Sequence, residues 1–294
     1  MMKKILFIIN PISGVGKQKN IQSIIDKHLN KSNFICEIKY TEAPKHATQI
    51  SSEAVGKYDA VIAVGGDGTV NEVSAGLIGS KTPLGIIPSG SGNGLARFLH
   101  IPLKIKKAIE LINQFEIQAI DSLTINNIKF VNLAGIGFDA LISHQFANYG
   151  KRGLWSYVKI IIKEFYRFKP LEFTCNIDGK IISKKLFMIS FANSSQFGNN
   201  AHIAPNAKIN DGLIDICMLR QFPLIVSPII AFRLFNKTMH KSKYIEIIKG
   251  KSIQIAHHSE IIAHVDGEPI LLTKNLKIDI RPLSLNVIVP KNFH

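Results

Sequence analysis

Apolar and polar positions follow two different rhythms along this chain. Over the first 120 or so residues, the apolar runs KILFII, FICEIKYT, DAVIAV and PLGIIP are separated by helix-like segments around 20–29, 46–55, 70–77 and 105–114. Strands alternating with helices of about ten residues predict a parallel sheet covered on both faces. The strands read as continuous apolar runs, as burial on both sides requires. After about Asp121 the rhythm changes. SLTINNIKFVNLA, LEFTCNIDGKIISKKLFMISFA, GLIDICML, YIEIIKG, SIQIA, IIAHV and LKIDIRPLSLNVIV are closely spaced strands, several joined by Asn, Asp or Gly turns such as Asp178-Gly179. The pattern predicts an α/β N-terminal domain over 1–122, doubly wound and mostly parallel. A mainly antiparallel β-sandwich is predicted over 123–294, with a helical insertion at about 139–169 and a last strand free to return to the first domain. No long linker separates the two, so a shared interface with a cleft is expected.

Composition narrows the class. The 294 residues suit two modest domains, and 46% apolar content supports packed cores. Thirty-six Lys and Arg against 21 Asp and Glu leave a net charge of +15, which points to an anionic partner. Cys36, Cys175 and Cys217 are odd in number and form no CxxC pair, which fits unpaired thiols in a reducing compartment. The start MMKKILFIIN is too short in its apolar run for a signal peptide and stops at Asn10-Pro11. The segment QFPLIVSPIIAF carries two prolines in 12 residues, so no stretch is expected to span a bilayer.

The chemistry concentrates in three loops. The strand through Val64 enters Gly65-Gly66-Asp67-Gly68, and Thr69 with Glu72 reads as a capping box that opens a helix striped by Val70, Val73 and Leu77. That loop therefore lies at the carboxyl end of a parallel strand and the positive end of a helix, both phosphate-binding positions. Glycines let an anion approach backbone N–H groups, and Asp67 makes sense beside phosphate if it works through Mg²⁺. PSGSGNGLARF and NPISGVGK supply two more loops of the same kind. None matches a standard nucleotide signature. Pro11 and Gln18 break the P-loop pattern, while Lys19 and Leu95 break the dinucleotide one. His257, His258 and His264 lack metal-ligand spacing, so zinc is not expected.

NPISG, GGDGTVNEV, IPSGSGNGLAR, FVNLAGIGFDA, IAPNAKINDGLIDI and VDGEP, in that order, resemble the diacylglycerol kinase and sphingosine kinase catalytic family, specifically its bacterial lipid kinases. The resemblance covers nearly the whole chain. It implies ATP-dependent transfer of the γ-phosphoryl group to a lipid hydroxyl in a cleft between the two domains. It further implies nucleotide contacts from Asn10, Pro11, Ile12, Ser13, Gly14, Thr41, Gly65, Gly66, Asp67, Gly68, Thr69, Val70, Asn71 and Ser91. A structural Mg²⁺ is implied on the Asp211 carboxylate and the carbonyls of Lys208 and Leu213, with Asp67 and Glu268 as catalytic residues and Glu268 as general base. Bacterial diacylglycerol kinases usually carry Thr-x-Asn-Asp where Ser91-Gly92-Asn93-Gly94 stands here, a form closer to sphingosine kinases. The acid missing at Gly94 weakens diacylglycerol as the assumed substrate, leaving phosphatidylglycerol and sphingoid bases beside it.

Two segments suit an anionic membrane surface. Trp155, Val158, Ile162 and Phe165 follow helical spacing with Lys159, Lys163 and Arg167 alongside, a pattern equally suited to packing on the second domain. The stretch 222–235 is flanked by Arg220, Arg233 and Lys237. The expected setting is cytoplasmic with peripheral membrane contact and a lipid partner, without nucleic acid and compatible with a homodimer. A soluble kinase related to NAD kinases and a silent binder of anionic membranes are the alternatives, the latter disfavoured by retention of Asp67 and Glu268.

Overall fold

The seven residues of β1 (Lys3–Ile9) end in a fully buried apolar run, which suits a strand with neighbours on both sides. It pairs in parallel with β2 (Phe34–Tyr40) and with β3 (Ala60–Gly65), and β3 pairs in parallel with β4 (Leu84–Pro88). The computed structural model describes residues 2–13, 20–148, 154–257, 260–272 and 275–293, with backbone alone for 146–148 and 154–159. Gly14, Lys17, Gln18, Lys19 and His258, and the side chains of Trp155, Val158 and Lys159, lie outside the described residues.

The chain divides into two units, 1–122 with 282–294, and 123–281. In the first, α1 (Ile21–His28), α2 (His46–Ala54), α3 (Asp67–Leu77), the short α4 (Gly94–Phe98) and α5 (Ile105–Gln114) connect the strands. Ile21, Ile25, Ile109 and Ile112 from α1 and α5 close one core on Phe7, Ile62 and Ile288. The capping box is corrected by the structure. Helix α3 begins at Asp67 with Gly66 at its N-cap, so Thr69 already lies inside the first turn and caps nothing. Glu72 instead turns to the start of α2, where its carboxylate accepts the N–H groups of Lys45 at 2.9 Å and Ala47 at 3.2 Å. Those donors have no partner within their own helix, and a negative charge at a helix N-terminus is favourable.

The second unit is antiparallel. It takes in most of the meander β5 (Ile117–Ile125), β6 (Ile128–Phe130) and β7 (Leu133–Gly137), then the helices α6 (Phe138–Asn148) and α7 (Leu154–Arg167). Strands β8 (Leu171–Ile177), β9 (Lys180–Leu186) and β10 (Met188–Ala192) follow, then the short pair β11 (Gln196–Gly198) and β12 (Ala201–His202), and β13 (Ile214–Leu219). Helix α8 (Ser227–Phe235) precedes β14 (Ile245–Gly250), β15 (Ser252–Ala256), β16 (Ile261–Val265), β17 (Glu268–Leu272) and β18 (Asn275–Ile288). The final residues of β18 return to the first unit, Val287 pairing in parallel with Leu84 of β4.

A six-stranded sheet runs in the order β14-β13-β10-β7-β16-β17. One face shares a core with β8, β15 and β18 through Ile136, Phe191 and Ile216 against Phe173, Ile255 and Ile278. The other face is covered by Phe138, Phe165 and Ile230 from the three helices. The hairpin turns use left-handed backbone, with Asp178 at φ 49° and Gly179 at φ 89°, as a tight two-residue connection requires. The three cysteines are unpaired, and burial pushes the Cys175 thiol up to about 11. Among the described residues no helix is long and apolar enough to cross a membrane. Replacing Glu72 with Ala strips two donors of their acceptor across helices and is expected to lower unfolding free energy by about 1 kcal/mol. Urea unfolding checks this, and an unchanged midpoint would show that water caps α2 equally well.

Candidate active site

The three small-residue loops leave β1, β3 and β4, neighbours in one parallel sheet, and are tied to each other. Ser89 N–H donates to the Gly65 carbonyl at 2.8 Å, and Asn10 N–H donates to the Val64 carbonyl at 3.1 Å. Asn10 Nδ2 donates to Thr69 Oγ1 at 3.2 Å, and the Ser13 and Ser89 hydroxyls meet at 3.1 Å. Thr41 follows β2 and donates its N–H to the Ile9 carbonyl at 2.9 Å. The structure thus gathers Asn10, Ser13, Thr41, Gly65, Gly66, Asp67, Thr69 and Ser91 at the carboxyl ends of the strands. Pro11 and Ile12 sit on the exposed rim, Ile12 with 82% of its surface open. Gly68, Val70 and Asn71 continue along α3, with Val70 buried in its packing.

Asp67 explains how the second loop holds its shape. Its two carboxylate oxygens accept the N–H groups of Asn93 and Gly94, each at 2.7 Å. These are donors at the start of α4, so the acid compensates a helix N-terminus in the neighbouring loop. Asn93 holds left-handed backbone at φ 51°, and its side chain closes on Gly90, accepting from the N–H at 3.1 Å and donating to the carbonyl at 2.8 Å. Two glycines are required by contact. A Cβ on Gly90 would stand 2.6 Å from the Gly66 Cα, and one on Gly92 would stand 2.8 Å from Asp67 Oδ2. Beside this loop lies a cavity of about 290 Å³ lined by Ser89, Gly90, Ser91, Asn93, Arg97, Leu103 and Ile105. Arg97 is fixed there by its Nε–H to the Gly92 carbonyl at 3.0 Å. Small polar side chains, bare backbone and a guanidinium fit a polyphosphate.

In the second unit, Glu268 opens β17 directly after the Asp266-Gly267 turn, and its side chain is exposed. The turn is pinned by its own acid. Buried Asp266 accepts the N–H groups of Asn132 at 3.1 Å and Leu133 at 2.8 Å, and donates its own N–H to the Leu133 carbonyl at 2.7 Å. Beneath β16 lies a polar row that sequence reasoning missed. Ser190, Gly135 and His264 stand in register across β10, β7 and β16. Gly135 leaves the middle position bare, and the Asp139 carboxylate from α6 fills it, 3.1 Å from both Ser190 Oγ and His264 Nε2. A Cβ on Gly135 would collide with that carboxylate. The one available signal was the Gly-Ile-Gly spacing before Asp139.

The KINDGL loop holds a charge cluster instead of a lone acid. Asp211 Oδ1 accepts the Leu213 N–H at 3.1 Å, while Oδ2 pairs with Lys249 Nζ at 2.7 Å. Lys249 also stands 3.6 Å from Asp215 Oδ2, an oxygen that is buried without a hydrogen-bond donor. Burial raises the pKa of Asp215, opposed by Lys249. Burial works against the Lys249 charge, but the hydrogen bond to Asp211 and the Asp215 charge outweigh it and hold its pKa above the ordinary value. Two carboxylates, one of them short of a donor, fit a hard cation in chemistry. Lys249 already pairs with one oxygen of Asp211, so an ion on that carboxylate would compete with the ammonium. Among the described residues no group of three or more His, Cys, Asp or Glu side chains forms a metal cluster.

Both halves of the chain match known family models. Residues 4–125 match the diacylglycerol kinase catalytic domain, and residues 132–289 the YegS C-terminal NAD kinase beta sandwich-like domain. The diacylglycerol kinase of Mycobacterium tuberculosis is 34% identical over 76% of this chain and 78% of its own length. That of Bacillus subtilis is 28% identical over 91% and 90%. A diacylglycerol kinase crystal structure from Bacillus anthracis superposes with a TM-score of 0.77 at 23% identity, covering 99% of this chain and 98% of that one. The chain belongs to the bacterial lipid kinase family of diacylglycerol kinases and YegS-like proteins, and it is an enzyme of that class.

Asp67→Asn would set an amide NH₂ against a backbone N–H. It is expected to cost about 1–3 kcal/mol of stability and most of the kinase activity, whereas retention of both would detach the loop from this carboxylate. Lys249→Met should lower the thermal midpoint by the equivalent of about 1–3 kcal/mol, less than for a fully buried pair because solvent reaches the ammonium. Added MgCl₂ should recover part of that loss, and a midpoint indifferent to Lys249 would mean the acid pair needs no cation.

Proposed function

We propose that this protein transfers the γ-phosphoryl group of ATP, supplied with Mg²⁺, to a hydroxyl of a diacylglycerol-like lipid, phosphatidylglycerol or a sphingoid base at an anionic membrane surface. The observation that carries the reading is the use of Asp67 on the amides of Asn93 and Gly94. With its charge engaged in the neighbouring loop, the GGDG turn opposes phosphate less, and the glycine backbones and Arg97 stand ready for a polyanion. Asn10, Ser13, Thr41, Gly65, Gly66, Gly68, Thr69, Asn71 and Ser91 are read as the nucleotide contacts.

Phosphoryl transfer asks little covalent chemistry of a protein and much positioning. The lipid oxygen attacks the γ-phosphorus as the bond to the β,γ-bridging oxygen breaks, and ADP departs with that oxygen. The hydroxyl proton passes to Glu268, whose exposed carboxylate at a pinned turn suits an acceptor that meets a large substrate. Mg²⁺ bound with the nucleotide would screen the phosphate charge. A second Mg²⁺ would be held by Asp211 with the carbonyls of Lys208 and Leu213, in competition with Lys249.

Labelled ATP offered with diacylglycerol, phosphatidylglycerol, sphingoid bases and NAD is expected to label a lipid. Label on NAD alone would overturn the reading. Glu268→Gln is expected to lower kcat by about 10²- to 10⁴-fold with an unchanged unfolding midpoint, and a wild-type rate would remove Glu268 from the chemistry.

A further inference from the structure

Helix α8 combines apolar exposure with one-sided charge. Its inner face is anchored, with Ile230 buried and Leu234 packed on the core beside Phe222 and Met239. On the outer face Ile229, Phe232 and Phe235 are 54%, 64% and 57% exposed, and Ile225 just before the helix is 87% exposed. Spacings of four, three and three put these four side chains on one flank. Pro228 is tolerated because it falls in the first turn, where its missing N–H would have no helical acceptor. A solvated helix gains nothing by holding two phenyl rings and two isoleucines in water.

Charge selects the occupant. Between Asp215 and Glu246 the chain has no acidic residue, while Arg220, Arg233, Lys237, Lys241 and Lys243 are all cations. Arg220, Lys237, Lys241 and Lys243 are exposed, and Arg233 closes the helix end through the Thr238 carbonyl at 3.3 Å. A second copy docked face to face would bring like charges together, and a nucleic acid offers no apolar layer for the rings. An anionic lipid surface meets both halves of the pattern, headgroup charge for the cations and acyl boundary for the side chains. The other candidate, α7, splits among its described side chains, with Phe165 buried in the core and Ile162 half-exposed.

We infer that the outer face of α8 with the turn before it, formed by Ile225, Ile229, Phe232 and Phe235 between flanking segments that carry exposed Arg and Lys, docks this protein onto anionic lipid bilayers. The inference deepens the lipid-kinase reading by naming the surface that reaches the membrane, and it rests on that reading only for its purpose.

The test is co-sedimentation of the full chain with vesicles of phosphatidylcholine, with and without phosphatidylglycerol, in the absence of ATP. Wild-type protein is expected to bind the anionic vesicles and to be released by salt. The double variant Ile229→Ser, Phe232→Ser should bind on the order of 10²-fold more weakly at an unchanged unfolding midpoint. Lys237→Glu with Lys241→Glu should bind on the order of tenfold more weakly or less tightly still. Binding unaffected by either pair overturns the inference. So does sedimentation equilibrium in which wild-type protein is a dimer that Ile229→Ser, Phe232→Ser dissociates, which would give the face to a second copy. Kinase assays on a short-chain, detergent-dispersed diacylglycerol separate the two readings. Vesicle binding lost in the variants with no lipid phosphorylated by any protein would sink the kinase reading alone. Equal binding with active enzyme would sink the docking face alone.

Discussion

Carboxylates that accept backbone N–H groups from a distant stretch of chain hold both candidate regions in shape. Asp67 ties the turn after β3 to the start of α4, and Asp266 ties the turn before β17 to the start of β7. A charge-assisted hydrogen bond of this kind contributes about 1.5–3 kcal/mol and leaves an expensive vacancy when removed. Both acids flank glycine, so the backbone is free to take the tight path while the carboxylate fixes where that path ends. The cost of ordering such loops is met within the free enzyme, which is the condition for binding a polyanion without further rearrangement.

The antiparallel unit applies the same economy to a helix. Gly135 removes one side chain from a buried row, and Asp139 enters the gap to bond Ser190 and His264 on either side. Helix α6 is thereby registered against three strands by one carboxylate, in addition to the stacking of Phe138 on Phe187 at 4.3 Å. The KINDGL loop follows a different rule, since Asp211 and Asp215 share a side-chain cation in Lys249. Asp215 and Lys249 are cross-strand partners on β13 and β14, so the sheet register brings the charges together.

Local signals were legible in the sequence and long-range partners were not. The strands through Ile9, Val64 and Ile87 and the helix at 105–114 follow from apolar periodicity, which is a property of neighbouring residues. The Asp178-Gly179 and Asp266-Gly267 turns follow from left-handed backbone preference, again a local matter. Glu72 misled because its spacing from Thr69 satisfies a capping box, while the donors it serves at Lys45 and Ala47 lie 25 and more residues away. The partners of Asp67 and Asp139 are hidden for the same reason. The stretch 222–235 stands out in the sequence by its flanking charge but not as a helix, because two prolines in an apolar run read as interruption, when one of them merely opens α8. The family motifs cover the loops and turns, Arg97 included, and pass over Lys249 and His264, whose roles arise from packing.

Amide hydrogen exchange on the full chain, with and without a non-hydrolysable ATP analogue and Mg²⁺, tests most directly the claim that the glycine loops form a preorganised polyphosphate cradle. The Asn93 and Gly94 amides are expected to be protected before ligand is added, because Asp67 already holds them. New protection on binding is expected to be confined to the loops after β1, β3 and β4. Unprotected Asn93 and Gly94 in the free protein, or ligand-induced protection confined to other segments, would contradict that claim.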